Sequence, residues 1–129
     1  AFAEFYSRNK AVSHLNRGKV TIFGCGMGNP FFSTDTAAVL RGAEIGADVV
    51  LMAKNIDAIY TDDPRKNPDA KKLSEVDYDY ILKNHLSAID TCAASFAMDN
   101  HMKLHIFGLD DSENIYRVIM GEKIGTIVD

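Results

Sequence analysis

The sequence contains no tryptophan, only two cysteines and three prolines, and no apolar run long enough to cross a bilayer. Cys25 and Cys92 are far apart and form no Cys-x-x-Cys pair, so nothing indicates a disulfide framework, and a reducing, cytoplasmic setting is expected. The longest apolar stretch, residues 47–53, falls far short of the roughly 20 residues that a membrane helix needs. No signal-peptide pattern opens the chain. These absences argue against the secreted disulfide-rich and membrane-spanning classes of protein.

The chain also lacks an excess of positive charge. Its formal net charge is −4, with acidic and basic residues interspersed, which leaves no basic stripe for nucleic acid and no polybasic anchor for a membrane. The four histidines show no ligand spacing, so we predict no metal site made from them. What is present is 129 residues with 47% hydrophobic content, enough for one packed globular domain. This balance favours a small ligand that brings its own Mg²⁺.

A glycine-rich loop is the most informative feature that the sequence does have. Gly24, Gly26 and Gly28 follow an apolar run and precede a helix start. Glycines allow the positive φ and the close backbone approach that a loop around a phosphate needs. The unpaired N–H groups and the dipole of the helix start favour the same anion. A tight turn without a ligand is an equally common use of such a loop.

Two adjacent aromatic residues lie in this loop. Phe31 and Phe32 stand among polar residues that include Asn29, Ser33 and Asp35. In a loop, such a pair either plugs a core or walls a pocket for a flat ring. Together with the glycines, the second interpretation predicts a site for a nucleoside phosphate. Asp35 would repel that phosphate unless a cation lies between them, so a lysine or Mg²⁺ is expected nearby.

Apolar periodicity and turn residues divide the chain into alternating helices and strands. The predicted helices cover residues 3–16, 34–46, 78–82, 91–100 and 113–120, and the predicted strands cover residues 20–23, 47–53, 104–107 and 126–128, the last at an edge of the sheet. Two prolines predict an irregular surface loop at 61–69. The continuous apolar character of 47–53 is typical of a parallel strand with helices on both faces. The order of elements predicts an α/β layered fold.

In such sheets, ligands bind beyond the carboxyl ends of the strands. The segment after the second strand supplies candidates that could face the same cleft as the glycine-rich loop: Lys54, Asn55, Asp57, Tyr60, Asp62 and Asp63. Lys54 is either a cation near transferring phosphates or a surface lysine. Tyr60 either stacks on a base or belongs to the core. Asp62 and Asp63 precede a proline and could simply start a turn, and Asp90 could be only a helix cap.

Four spaced motifs resemble the bacterial UMP kinases of the amino acid kinase superfamily. They are residues 26–38 (GMGNPFFSTDTAA), 46–53 (GADVVLMA), 57–64 (DAIYTDDP) and 120–126 (MGEKIGT). The resemblance covers essentially the whole chain. It implies an α/β three-layer sandwich with a mainly parallel sheet, of which this chain, residues 1–129, is the carboxyl-terminal part and therefore incomplete. It also implies a cytoplasmic enzyme that transfers the γ-phosphoryl group of ATP, with Mg²⁺, to UMP.

The resemblance also assigns site residues. It implies a UMP-binding loop formed by Met27, Gly28, Asn29, Pro30, Phe31, Phe32, Ser33 and Thr34, and an ATP site at Lys54, Asn55, Tyr60 and Asp63. Asp35 would be catalytic, because the family's aspartate at this position orders the basic groups around the transferring phosphoryl. No dedicated protein metal site is implied, since Mg²⁺ is held mostly by phosphate oxygens and water. The complete enzyme would be a homo-oligomer, a hexamer by resemblance.

The sequence departs from the family pattern in three places. Met27 replaces a common threonine and Ala58 a common glycine, and both changes are mild. Residues 1–19 resemble neither of the family's two amino-terminal glycine-rich turns, one of which carries an essential lysine, and the chain starts at Ala1 without an initiator methionine. We therefore expect an amino-terminal half to be missing and this chain to be inactive alone.

Two alternatives remain open. Another amino acid kinase would act on a carboxylate or carbamate, but Phe31 and Phe32 argue against it, because a small acid needs no aromatic wall. A non-catalytic module of the same fold would bind a nucleotide or an oxyanion, or would serve in assembly. An upstream lysine followed by a glycine-rich turn in the native gene would favour the kinase, and its absence would favour the module.

Overall fold

A computed structural model describes residues 2–129, which form five α-helices and six β-strands. The helices are α1 (Arg8–Asn16), α2 (Thr34–Ile45), α3 (Tyr78–Lys83), α4 (Thr91–Asp99) and α5 (Glu113–Ile119). The strands are β1 (Val50–Lys54), β2 (Ile59–Tyr60), β3 (Lys72–Leu73), β4 (Glu75–Val76), β5 (Leu104–Gly108) and β6 (Thr126–Val128). Within the described range, no helix is long and apolar enough to cross a membrane.

The strands form two sheets. The main sheet has the order β1-β5-β6-β4, with β1 parallel to β5, β4 parallel to β6, and β5 antiparallel to β6. The second sheet is an antiparallel hairpin of β2 and β3. Two of the three pairings in the main sheet are parallel. The predicted α/β fold with a mainly parallel sheet is therefore confirmed.

Local capping interactions start the two helices that border the predicted site. Ser33 caps α2 by accepting a hydrogen bond from the Thr36 N–H at 3.1 Å, and Gly46 ends this helix in the left-handed conformation at φ +68°. Asp90 caps α4 by accepting from the Cys92 N–H at 2.8 Å. Both helix starts agree with the sequence prediction.

The core lies between α2, α3, α4 and one face of the main sheet. Three fully buried alanines of α4 pack here, Ala93, Ala94 and Ala97, and their small side chains allow the close contact with α2. Every residue of β5 is buried, so both faces of this strand are covered. β5 is therefore an interior strand of the main sheet that is covered on both faces.

The predicted strand at residues 20–23 is wrong. Residues 19–24 have no regular structure, and Val20 and Ile22 are 94% and 91% exposed. A strand needs a neighbouring backbone to pair its N–H and C=O groups. β1, the outermost strand of the main sheet, does not pair with this segment. The apolar, β-branched sequence suits a strand, but a sequence cannot form a strand without a partner.

One face of β1 is open, which corrects the prediction that helices cover both faces of this strand. Met52 is buried, whereas its neighbours Leu51 and Ala53 point to the opposite face and are exposed. The predicted three-layer sandwich is therefore incomplete at this strand. β1 also begins later than residue 47, because the Ala47 N–H still donates to the Gly42 carbonyl oxygen of α2 at 2.9 Å.

Three smaller differences concern element boundaries. The first helix begins at Arg8 rather than at residue 3, and Phe5, which the prediction places on its apolar face, is exposed. β6 is not an edge strand, because β4 pairs with its other side, and Thr126 and Val128 are fully buried. The sequence does not predict β3 and β4, because a strand of two residues is too short to show a periodicity.

Candidate functional site

The glycine-rich loop adopts the backbone conformation that its glycines predict. Gly26 and Gly28 have φ of +60° and +74°, and Cys25 and Phe31 share the left-handed region at +68° and +69°. Non-glycine residues rarely adopt this conformation, and those that do are concentrated at ligand-binding and catalytic sites. The loop therefore has the positive φ that its glycines predict, and a ligand bound to it stays a prediction.

The aromatic residues of the loop do not belong to the core. Phe31 is fully exposed and Phe32 is half exposed. The core-plug interpretation of this pair is therefore excluded, and their role as pocket walls stays a prediction. The remaining residues of the predicted UMP loop also lie at the surface, with Met27 partly buried and Gly28, Asn29, Pro30, Ser33 and Thr34 exposed.

An ion pair joins the end of β1 to the first turn of α2. Lys54 Nζ donates to Asp35 Oδ2 at 2.7 Å and to the Ala88 carbonyl oxygen at 2.7 Å. The two side chains are mostly buried, with 19% and 17% of their surface exposed. The cation expected beside Asp35 is therefore a lysine of this chain. The interpretation of Lys54 as a surface lysine is wrong.

Asp90 connects this ion pair to α4. Its backbone N–H donates to Asp35 Oδ2 at 3.2 Å. Its carboxylate accepts hydrogen bonds from the hydroxyls of Ser33 and Thr36, the second at 2.7 Å. The starts of α2 and α4 are thus bonded to each other, although 55 residues separate Asp35 from Asp90. We call these five residues, Ser33, Asp35, Thr36, Lys54 and Asp90, the helix-start cluster.

Asp90 is the site residue whose full role sequence reasoning missed. Burial by itself raises the pKa of the Asp90 carboxyl, but hydrogen bonds from Ser33, Thr36 and the first amides of α4 outweigh it and hold the pKa below its usual range. The group is therefore ionised at neutral pH. An aspartate before a helix indicates a cap, whereas donors that arrive from another helix leave no local signal in the sequence.

Tyr60 lies on the β2–β3 hairpin with polar partners of its own. Its hydroxyl donates to the Asp57 carboxylate at 3.1 Å, and Lys72, its cross-strand neighbour, donates to the same carboxylate at 3.0 Å. Burial and the hydrogen bond to Asp57 raise the pKa of Tyr60. Burial also acts to raise the pKa of Asp57, but Lys72 and Tyr60 outweigh it and lower that pKa. Tyr60 is partly buried and is not a core residue.

The remaining predicted ATP residues, Asn55 and Asp63, lie outside the helices and strands. Asp63 accepts from the Arg65 N–H at 3.0 Å, and Asp62 accepts from the Asp63 N–H at 2.7 Å and from the Asn67 side chain at 2.9 Å. The turn-forming interpretation of the two aspartates is therefore confirmed. Asn55 is exposed just beyond the end of β1. A contact of Asn55 or Asp63 with ATP stays a prediction.

The helix-start cluster is suited to holding charge in a fixed place. Two helix starts meet there, and each carries a partial positive charge. The cluster nevertheless contains two carboxylates and a single ammonium group. Among residues 2–129, no three His, Cys, Asp or Glu side chains come together as a metal site.

Comparison with known proteins places these observations in a family. Residues 4–108 match the amino acid kinase family. The chain is similar to the UMP kinase of Bacillus anthracis (35% identity, TM-score 0.92), covering 98% of this chain and 52% of that one. It is similar to the UMP kinase of Ureaplasma parvum (32% identity, TM-score 0.87), covering 96% and 53%. It is also similar to the uridylate kinase of Archaeoglobus fulgidus (28% identity, TM-score 0.67), covering 78% and 49%.

The chain therefore spans about half the length of the solved structures that it matches. The family match covers most of its residues, from the segment before α1 to the end of β5. The glycine-rich loop, α2 and the ion pair with Lys54 all lie inside that match. The chain belongs to the amino acid kinase family.

Proposed function

We propose that this chain is the carboxyl-terminal half of a UMP kinase, which transfers the γ-phosphoryl group of ATP to UMP in pyrimidine nucleotide biosynthesis. The observation that carries the proposal is the Lys54–Asp35 ion pair at the start of α2, directly after the glycine-rich loop. The similarity to two bacterial UMP kinases over nearly the whole chain supports it. The products would be UDP and ADP.

The acceptor side of the site would be the loop from Met27 to Thr34. Left-handed residues and a following helix start suit a phosphate group. The rings of Phe31 and Phe32 are exposed beside it and are accessible to a flat base. This loop would hold UMP by its phosphate and by its uracil ring.

The donor side would be ATP at Lys54, Asn55, Tyr60 and Asp63. Lys54 is fixed by its bonds to Asp35 and to the Ala88 carbonyl oxygen, so its ammonium group needs little reorganisation during the reaction. A preorganised cation stabilises the charge on the transferring phosphoryl group, and positioning is the main contribution that a protein makes to this chemistry. Asp35 would act by holding this cation, and no covalent intermediate is needed.

The helix-start cluster cannot neutralise the phosphates of two nucleotides, because its carboxylates outnumber its ammonium groups. Mg²⁺ bound to ATP would supply part of the missing positive charge. Basic groups outside this chain would supply the rest, which agrees with a chain that spans 52% of the Bacillus anthracis enzyme. We therefore propose that the chain is inactive alone and that the complete enzyme is a cytoplasmic homo-oligomer, a hexamer by resemblance.

Two proteins test this proposal, namely the 129-residue chain and the product of its complete natural reading frame. With ATP, Mg²⁺ and UMP, we expect steady UDP formation by the second protein and none by the first above a no-protein control. Ligand-observed NMR on the 129-residue chain is expected to detect UMP at a Kd of about 1 mM, with weaker binding of AMP.

Each other outcome has a definite meaning. UDP formation by the chain alone would contradict the need for further cations. A complete protein that binds nucleotides without forming UDP would be the non-catalytic module, and one that phosphorylates a carboxylate or a carbamate would be another amino acid kinase. Equal binding of UMP and AMP would contradict the assignment of the glycine-rich loop to UMP.

A further inference from the structure

A buried hydroxyl forms hydrogen bonds between the two sheets. Thr126, the first residue of β6, is 0% exposed. Its Oγ1 accepts a hydrogen bond from the Ile59 N–H at 2.8 Å and donates one to the Leu73 carbonyl oxygen at 2.5 Å. Ile59 and Leu73 face each other in the β2–β3 hairpin. The hydroxyl therefore links both strands of the hairpin to the main sheet.

The backbone around Thr126 fixes the position of this hydroxyl. Gly125 has φ +78°, and a Cβ on it would overlap the Ile106 carbonyl oxygen and lie 2.9 Å from Phe107 Cα. The chain thus passes against β5 with no room for a side chain at Gly125. Thr126 then pairs with Ile106 in the antiparallel ladder. Its side chain therefore reaches the hairpin from a paired strand of the main sheet.

Packing alone does not explain a threonine at this place. Valine has nearly the same shape and suits a buried strand equally well. With valine, the Ile59 N–H and the Leu73 carbonyl oxygen would lose this partner in a buried environment, which is unfavourable. The hydroxyl is therefore best explained by what it does to the hairpin.

The hairpin carries Tyr60 next to the bonded residue. The Ile59 side chain is buried in the core, and successive strand residues point to opposite faces, so Tyr60 lies on the other face. There its hydroxyl bonds to Asp57, which also accepts from Lys72. The hydrogen bond to the Ile59 amide therefore also restrains Tyr60, the next residue of β2, relative to the main sheet.

We propose that Thr126 is a positioning residue for the nucleotide, because its two hydrogen bonds hold the β2–β3 hairpin, and with it Tyr60, in place for ATP. The assignment of Tyr60 to ATP rests on the proposed function, whereas the bond between the sheets does not. Thr126 acts through Ile59 and Leu73 and touches no reacting group.

Amide hydrogen exchange by NMR on the 129-residue chain tests the bond itself. In Thr126→Val, exchange at the Ile59 amide is expected to be about tenfold faster than in the wild type, as for the loss of one buried hydrogen bond. Thr126→Ser keeps the hydroxyl and is expected to restore the wild-type rate. The amides of the β1–β5 pairing serve as an internal reference and are expected to keep their rates.

Steady-state kinetics on the product of the complete natural reading frame test the positioning role. Thr126→Val is expected to raise the KM for ATP about five- to tenfold and to leave the KM for UMP unchanged, since only the hairpin loses a bond. Thr126→Ser is expected to restore the KM for ATP. Val118→Ala, a truncation of a buried residue of α5, controls for lost stability and is expected to leave both KM values unchanged.

Three results would overturn the inference in different ways. An unchanged Ile59 exchange rate in Thr126→Val would refute the bond between the sheets. Faster exchange with both KM values raised equally, or with neither changed, would make Thr126 a structural residue only. If the wild-type protein forms no UDP, the proposed function fails and the link to ATP fails with it, while the exchange rate of Ile59 still decides whether the hydroxyl holds the hairpin.

Discussion

Lys54 Nζ lies 2.7 Å from Asp35 Oδ2, so the last residue of β1 is bonded directly to the first turn of α2. Asp35 Oδ2 also accepts the Asp90 N–H at 3.2 Å, which ties the same oxygen to the start of α4. Three elements therefore share one carboxylate. A change in Lys54 or Asp35 should therefore disturb the start of α2 and the end of β1 together.

The first prediction concerns Asp35→Asn in the product of the complete reading frame. Ser33 rather than Asp35 caps α2, so the loss of the charge should act mainly on Lys54. We expect kcat to fall on the order of 10²-fold, because the cation at the phosphoryl group is no longer held. The free energy of unfolding should also fall, by about 1–3 kcal/mol, because the mostly buried Lys54 loses its anion but keeps its hydrogen bond to the Ala88 carbonyl oxygen. Steady-state kinetics and urea unfolding measure both quantities.

Asp79→Asn is the matched control for this variant. Asp79 also lies in the first turn of its helix, α3, and its ion pair with Lys83 is long, at 3.9 Å, and exposed. Asp79→Asn removes one negative charge, as Asp35→Asn does, but its kcat should equal that of the wild type. An unchanged kcat in Asp35→Asn would reduce Asp35 to a structural residue.

The second prediction is an energetic coupling between Lys54 and Asp35. Lys54→Met should destabilise the 129-residue chain more than Asp35→Asn does, because it leaves a mostly buried carboxylate without its cation. The double variant should be more stable than the sum of the single effects implies, by about 1 kcal/mol or more. The exposed pair of Asp79 and Lys83 gives the control cycle, with a coupling near zero. Additive effects at Lys54 and Asp35, measured by urea unfolding, would contradict the ion pair.

The third prediction concerns the acid side of the stability profile. Although burial acts to raise it, the pKa of Asp90 in the folded chain is lowered by the hydrogen bonds from Ser33 and Thr36. A lowered folded pKa stabilises the chain fully above the unfolded value of about 4, and this stabilisation is lost as the pH falls through the folded value. Asp90→Asn, which still caps a helix, should therefore flatten the fall in the free energy of unfolding below about pH 4. Parallel profiles for the variant and the wild type would show that Asp90 has no such role.

The fourth prediction compares two isoleucines. Ile22 is 91% exposed in the segment that fails to form a strand, and Ile106 is 0% exposed in β5. Ile22→Ala should change the free energy of unfolding of the 129-residue chain by no more than about 0.5 kcal/mol. Ile106→Ala should lower it by about 2–5 kcal/mol. A large loss from Ile22→Ala would mean that residues 20–23 are packed in solution.

Part of the site could be predicted from the residues themselves. The glycines at 26 and 28 predict a loop with positive φ, and the loop has it. Ser33 and Asp90 predict helix starts, and both accept the capping hydrogen bonds. Asp35 lies in a loop predicted to bind an anion, so a cation is expected nearby. The residue pattern did not show whether that cation is a lysine or Mg²⁺.

The sequence by itself determined the starts of α2 and α4, the loop conformation and the α/β order of elements, because caps and turns depend on residues within about four positions of each other. Tertiary structure decided that Lys54 forms the ion pair with Asp35, 19 residues away. It also decided that the Thr126 hydroxyl accepts the Ile59 N–H, 67 residues away. It also decided that residues 20–23 stay unpaired, since a strand exists only where another backbone lies beside it. Residue propensity can favour a strand at such a segment, but only a neighbouring strand can supply the hydrogen bonds that form it.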